Sequence, residues 1–310
     1  MQAMRISEQM KQRNTLSFEV FSPKTEVGMQ KLCGENGVLE KLYSLQPDYI
    51  SCTYGAGGSS IGKNMEVLQK IKCDGRCVPL THFTCVCSTK EQIRAHLQRY
   101  LDMGIDHILA LRGDLPIGEH STCGELHYAT ELVAFIREEF GDRFTIGVAG
   151  SPEGHIDCIS LEDDIAHLKE KQECGADFIM TQLCWNMEQF KRWLDRIRAV
   201  GITLPVDVGF MPVLDPSTTI TMALSRNGCT MPRQLCEILS KNWIFPNPFN
   251  PSEDEASIAE KKASFKSAGI DFSVRQIKEY LDCDINGIHL YAMNKYDDAA
   301  RIAKEAGLLR

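Results

Sequence analysis

The strongest constraint on this chain is a strict alternation. Eight short β-rich runs, Leu16 to Phe21, Asp48 to Thr53, Cys77 to Phe83, His107 to Leu111, Phe144 to Ala149, Asp177 to Leu183, Val206 to Met211 and Gly287 to Tyr291, are each followed by helically spaced apolar residues. Alternation of this kind predicts parallel strands joined by helices, and eight units predict an α/β fold closed into a (β/α)8 TIM barrel. An open doubly wound sheet would put G-x-G-x-x-G after its first strand, and none is there. The nearest approach, Gly55-Ala56-Gly57-Gly58, follows the second run, has a serine where the third glycine should fall, and reads as a flexible βα loop.

The helical segments carry their own punctuation. Ser88-x-x-Glu91 forms a capping-box pattern ahead of Ile93, Leu97 and Leu101, and Gly104 stops the run. Ser160 with Asp163 opens a second helix, with Ile165 and Leu168 inward and Gly175 as terminator; Met187, Phe190, Leu194 and Ile197 define a third, closed by Gly201. The long stretch between the seventh and eighth strands leaves room for extra helices and for Phe245 to Pro251, where three prolines predict a bent surface excursion. We read residues 1–310 as one barrel domain without internal repeats.

Composition narrows the partners. With 43% hydrophobic and 25% charged residues the chain is globular, and a formal net charge of -8 without lysine-rich runs argues against general nucleic-acid binding. Small molecules fit better. Thirteen cysteines are scattered; Cys73 with Cys77 and Cys85 with Cys87 lack metal-site spacing, and strand alternation points His82 away from the face of Cys85 and Cys87, so no metal site is expected. An odd cysteine count with no secretory leader predicts reduced thiols and a cytoplasmic chain. No apolar run approaches the ~20 residues of a membrane span.

A barrel gathers its chemistry at the carboxyl ends of its strands. Glu19 lies within the first run, Thr53 ends the second, His82 the third, Arg112 and Asp114 follow the fourth, His155 follows the fifth and Gln182 closes the sixth. Each has a purely architectural reading. Glu19 either pairs with a core cation or is kept protonable for use, because an ionised buried carboxylate is costly without compensation. Asp114 either pairs with Arg112 or caps a helix, His82 fits a satisfied core position, and Asp164, His167 and Lys171 at i, i+3 and i+7 read as a solvated helix stripe. Their common position at one mouth favours function.

Five motifs then fall in order: Ser17-Phe18-Glu19-Val20-Phe21-Ser22-Pro23-Lys24, Thr53-Tyr54-Gly55-Ala56, His82-Phe83-Thr84-Cys85, Ala110-Leu111-Arg112-Gly113-Asp114-Leu115-Pro116 and Thr181-Gln182. Together they resemble the 5,10-methylenetetrahydrofolate reductases, from about Ser17 to Lys295. The resemblance implies a barrel with FAD at its mouth that reduces 5,10-methylenetetrahydrofolate to 5-methyltetrahydrofolate in one-carbon and methionine metabolism. It implies a homo-oligomer drawing electrons from NADH or NADPH, with a reduced partner protein as the alternative donor that the departures described below leave open. Position by position, Glu19 matches a general acid and Asp114 a carboxylate beside flavin and pterin. Gln182, Tyr291 and Lys295 match substrate contacts, while Thr53, His82, Arg112, Gly113, Tyr128, Ala129, His155, Asp164, His167 and Lys171 match FAD contacts. The chemistry agrees, since opening the folate ring needs a proton for the departing nitrogen and a negative group to steady the iminium.

The chain departs from that pattern at Ser151, where a tyrosine is usual, at His167 for asparagine and at Lys295 for arginine. Leu183-Cys184-Trp185 replaces a phenylalanine-rich run, and Pro212 to Thr219 carries no aromatic for a nicotinamide to stack on. Two other readings therefore stay open: a flavin-free pterin barrel that transfers one-carbon units, and the folate-reducing subunit of a larger redox complex.

Overall fold

The computed structural model describes residues 4–53, 61–114, 124–225, 228–242, 255–291 and 296–310. Eight strands, β1 (Thr15–Val20), β2 (Tyr49–Cys52), β3 (Val78–Thr84), β4 (His107–Leu111), β5 (Thr145–Gly150), β6 (Phe178–Thr181), β7 (Val206–Phe210) and β8 (Gly287–Leu290), pair in sequence order and close β8 onto β1, every pairing parallel. The (β/α)8 expectation holds, with strand ends displaced by one or two residues. Helices α1 (Ile6–Gln12), α2 (Glu26–Cys33), α3 (Val38–Tyr43), α4 (Ile61–Asp74), α5 (Lys90–Asp102), α6 (Ala129–Phe140), α7 (Leu161–Glu173) and α8 (Met187–Ala199) occupy the chain up to β7. After β7 come α9 (Pro216–Ala223), α10 (Arg233–Asn242) and α11 (Glu255–Leu281), the extra helices expected there, and α12 (Tyr296–Glu305) follows β8.

Local chemistry explains the boundaries. Thr89, one residue later than the sequence suggests, caps α5 and forms its box with Gln92. Both Ser88 and Thr89 are capping types, and only the chain geometry decides between them. Ser160 caps α7 through the Asp163 N–H as expected. Asp215 caps α9, so half of the Pro212–Thr219 segment, read as loop, is helix. The proline excursion at Phe245 to Pro251 and the Gly55-rich loop lie outside the described residues.

The barrel interior is divided. Tyr49, Val78, Leu80, Leu109, Phe178 and Met180 pack on Ile6 and Met10 of α1, which closes the base. Against this apolar wall stands a polar one from β7, β8, β1 and β2. Ser17 Oγ and His289 Nδ1 share a hydrogen bond of 2.7 Å, Ser51 Oγ lies 3.2 Å from His289 Nε2, and Tyr49 donates to Asp207 Oδ2 at 2.5 Å. Gly287 makes this possible: a Cβ there would lie 2.1 Å from Thr15 Oγ1 and 2.8 Å from Asp207 Oδ1, so no side chain fits. The thiol expectation needs one correction. Cys87 is disulfide-bonded, whereas the other described cysteines are free, a pairing that spacing alone does not reveal.

Candidate active site

Glu19 leaves β1 near the barrel mouth, in register with Ser51 and 9% exposed. Its nearest charged-type neighbour is His82, whose Nε2 stands 3.5 Å from Glu19 Oε2 without a hydrogen bond. Burial raises the Glu19 carboxyl to about 7 and lowers the His82 imidazole to about 4, so both groups are neutral between those values. The carboxyl is a buried acid that no cation clamps. A core-cation pairing is thereby ruled out among the described residues.

The neighbouring strand ends hold their side chains by backbone bonds. Thr53, half-buried after β2, accepts the Ser22 N–H at 3.2 Å. Behind it Asn64, fully buried and unremarked in the sequence, donates to the Cys52 and Thr53 carbonyls at 3.2 and 3.1 Å and accepts from Tyr100 at 2.8 Å. Gly113 turns the chain after β4 at φ +92°, where a Cβ would come within 2.6 Å of Val86 Cγ1. That turn sends Arg112 across to Asp157 at 2.7 Å, leaving Asp114 exposed on the rim. Asp114 therefore does not pair with Arg112; Asp157, which sequence reasoning passed over, does.

On the β5 side the helix stripe splits. Lys171 reaches inward and donates to the Ala149 carbonyl at 3.0 Å; burial lowers its pKa while Asp164 pulls it back up. Burial raises Asp164, whose charge Lys171, His155 and a Cys158 hydrogen bond favour. His155 is lowered, mainly by burial, and its Nδ1 accepts the Asp157 N–H at 3.1 Å. His167 instead faces solvent and meets Glu170 at 3.2 Å. Tyr128 is 60% exposed at the start of α6, with Ala129 beside it. Gln182 binds the end of β5 through its N–H to the Gly150 carbonyl at 2.8 Å, and Tyr291 donates to the Thr181 carbonyl at 3.0 Å. Lys295 lies outside the described residues.

The described residues contain no cluster of three or more His, Cys, Asp or Glu able to hold a metal ion, and no helix long and apolar enough to cross a membrane. The mouth of the parallel barrel thus carries a buried acid that no cation among the described residues clamps, and Lys171, Asp164 and Arg112 lie within electrostatic reach of one another. The chain belongs to the methylenetetrahydrofolate reductase family, whose model matches residues 4–307. It is 32% identical over 314 residues to methylenetetrahydrofolate reductase 1 of Schizosaccharomyces pombe, covering 99% of this chain and 49% of that protein. It is 32% identical over 312 residues to methylenetetrahydrofolate reductase (NADH) 1 of Arabidopsis thaliana, covering 96% and 49%. A shorter match, 35% over 201 residues and 65% of each chain, is to the 5,10-methylenetetrahydrofolate reductase of Pectobacterium carotovorum. The chain thus spans about half the length of the first relatives it matches. Among solved structures, a Clostridium thermocellum protein described as binding two copies of 5-methyl-5,6,7,8-tetrahydrofolic acid shares the fold, with a TM-score of 0.63 at 17% identity over 98% of this chain and 99% of that one.

Proposed function

We propose that this chain reduces 5,10-methylenetetrahydrofolate to 5-methyltetrahydrofolate with the help of FAD. The observation that carries the reading is Glu19: a family member that must protonate a departing nitrogen holds at its mouth a carboxyl kept near 7 by burial. Glu19 gives its proton to the nitrogen that leaves when the five-membered folate ring opens, and Asp114, on the same rim, steadies the resulting cation. Gln182 and Tyr291 orient the pterin, with Lys295 toward its tail.

The residues present fit FAD. Lys171 spends one of its three N–H donors on Ala149, and His82 Nε2 is buried without a hydrogen-bond partner, so both keep capacity for a ligand. Arg112 and Lys171 are the cations suited to a diphosphate, with Thr53, His82, Gly113, Tyr128, Ala129, His155 and Asp164 lining the remainder; the exposed His167 is the weakest member of that set. FAD bound there and reduced by the electron donor would supply the hydride that the folate carbon receives, returning to its oxidised form.

The NADH named for the Arabidopsis relative supports a nicotinamide electron donor. Against it, the segment after β7 offers no aromatic surface, and α9 takes up its second half. A protein donor is therefore the second reading. The test is anaerobic: the purified protein with FAD receives NADH, NADPH or reduced ferredoxin in turn, is followed at the flavin band, and then receives methylenetetrahydrofolate. Bleaching by one donor and recovery with formation of methyltetrahydrofolate is the expected result. A protein that takes up no FAD, or recovers no colour with folate, contradicts the proposal.

A further inference from the structure

The loop after β5 is anchored at both sides of the mouth. Forward, Asp157 holds Arg112 of the β4 rim. Backward, Glu153 Oε2 accepts both the N–H of Thr230, at 2.8 Å, and the Thr230 hydroxyl, across 77 residues of chain. The other carboxylate oxygen, Oε1, is buried, and the carboxylate interacts with the Cys184 thiol. Around it stand Cys184, Cys229 and Tyr280, each pushed up first by burial and then by neighbouring charges that include Glu153.

Those neighbours belong to the substrate side. Cys184 and Trp185 lie two and three residues beyond Gln182, and the Cys229 sulfur meets the Trp185 backbone. Trp185 donates its indole N–H to the Met211 carbonyl after β7 at 3.3 Å, while Gln276 and Tyr280 of α11 donate to the Trp185 and Cys184 carbonyls. The loop after β6 is thus fixed to β7 and α11, and Glu153 ties the loop after β5 to the same unit. A carboxylate accepting two hydrogen bonds at a junction of loops is a strong link, because charge-assisted bonds are about twice as strong as neutral ones.

We propose that Glu153 is a positioning residue that joins the loop carrying His155 and Asp157 to the loops after β6 and β7, so that cofactor and folate sites are set together. This rests on the function proposed above. The sites it couples are the Arg112–Lys171 side and the Gln182 side, and coupling through a shared element acts on both affinities.

The test compares the parent with Glu153→Ala, Glu153→Gln and Thr230→Val. FAD affinity is read by flavin fluorescence and 5-methyltetrahydrofolate affinity by intrinsic tryptophan fluorescence. Glu153→Ala is expected to weaken both ligands on the order of tenfold, the scale of a lost charge-assisted bond. Glu153→Gln keeps an acceptor for Thr230 and is expected to restore most of both affinities. Thr230→Val, an exposed change that leaves the N–H bond, is expected to shift both ligands the same way by about two- to threefold, and it decides the matter if Glu153→Ala does not fold. Loss of FAD affinity with folate unchanged, or parent affinities for both in Glu153→Ala or in Thr230→Val, overturns the proposal. A parent protein that takes up no FAD refutes the flavin reading instead; Glu153 is then judged on folate affinity alone, by the same variants.

Discussion

Two buried carboxylates at opposite ends of the barrel are treated in opposite ways. At the base, Asp48 precedes β2 and accepts from Arg13 at 2.8 Å, Arg310 at 2.7 Å and the Leu16 N–H at 3.0 Å. Burial alone would raise it, but the two guanidiniums outweigh that and hold it below its ordinary value. At the mouth, no cation among the described residues meets Glu19, its His82 neighbour is neutral, and burial lifts it to about 7. The base spends its cations on locking the first strand, the second strand and the chain end together. The mouth withholds them, and the proton stays available.

The largest effect that tests this contrast is at Glu19. Glu19→Gln keeps the shape but has no proton to give, so flavin reoxidation by methylenetetrahydrofolate is expected to fall by about 10²–10⁴-fold, with flavin reduction by the donor unchanged. In the parent, the folate step is expected to slow as pH rises through about 7, where Glu19 ionises. Stopped-flow traces of the two half-reactions check both statements. Parent-rate reoxidation in the variant would remove Glu19 from the chemistry.

The base should respond in stability and not in rate. Asp48→Ala leaves Arg13 and Arg310 facing each other, and we expect a loss of about 3 kcal/mol, the low end for a broken buried pair because the two cations are 39% and 43% exposed. Denaturant unfolding measures it. The sign with pH follows from the lowered Asp48: its contribution is complete above the unfolded carboxyl value of about 4 and is lost as pH falls through the lower folded value. An unchanged midpoint for Asp48→Ala would mean that the base is not locked by this cluster.

Asp207 breaks the simple division, since it lies in the interior yet pairs with no cation among the described residues. Burial raises it to about 7 despite the Tyr49 bond, and its Oδ1 has no partner. A raised carboxyl stabilises the fold fully below its unfolded value and loses that contribution as pH rises toward the folded one. Asp207→Asn, which still accepts from Tyr49, is therefore expected to gain about 2 kcal/mol over the parent on going from pH 5 to pH 8. Melting curves at the two pH values decide it; a constant difference would show that Asp207 does not titrate on folding in this window.

These contrasts also show what the sequence conveys. The barrel is legible because alternation of β-rich and 3.6-period segments is local. The mouth residues Glu19, His82, Arg112 and Lys171 are legible because polar groups stand out at the ends of apolar runs. The polar wall of Ser17, Tyr49, Ser51, Asp207 and His289 is not, because parallel strands are buried on both faces and carry no in-out alternation. Asp48, Asn64, Asp157 and Glu153 escape for another reason: their roles are set by partners far along the chain, such as Arg310 for Asp48 and Thr230 for Glu153.

The smallest effect concerns the cation at the mouth. Arg13 and Arg310 share a carboxylate, whereas Lys171 has hydrogen bonds only to the Ala149 carbonyl among the described residues and feels Asp164 through space; burial lowers it. A buried ammonium compensated this loosely adds little to stability, and its value is reserved for an anion. Lys171→Met keeps the aliphatic stem and removes the charge. We expect the fold to be as stable as the parent or slightly more so, and FAD affinity to fall by about tenfold, equivalent to ~1.4 kcal/mol. The loss should shrink at high salt, since part of it is a screened attraction for a diphosphate. Parent FAD affinity in Lys171→Met would assign the lysine to strand capping at Ala149, and a large loss of stability would make the mouth and the base alike.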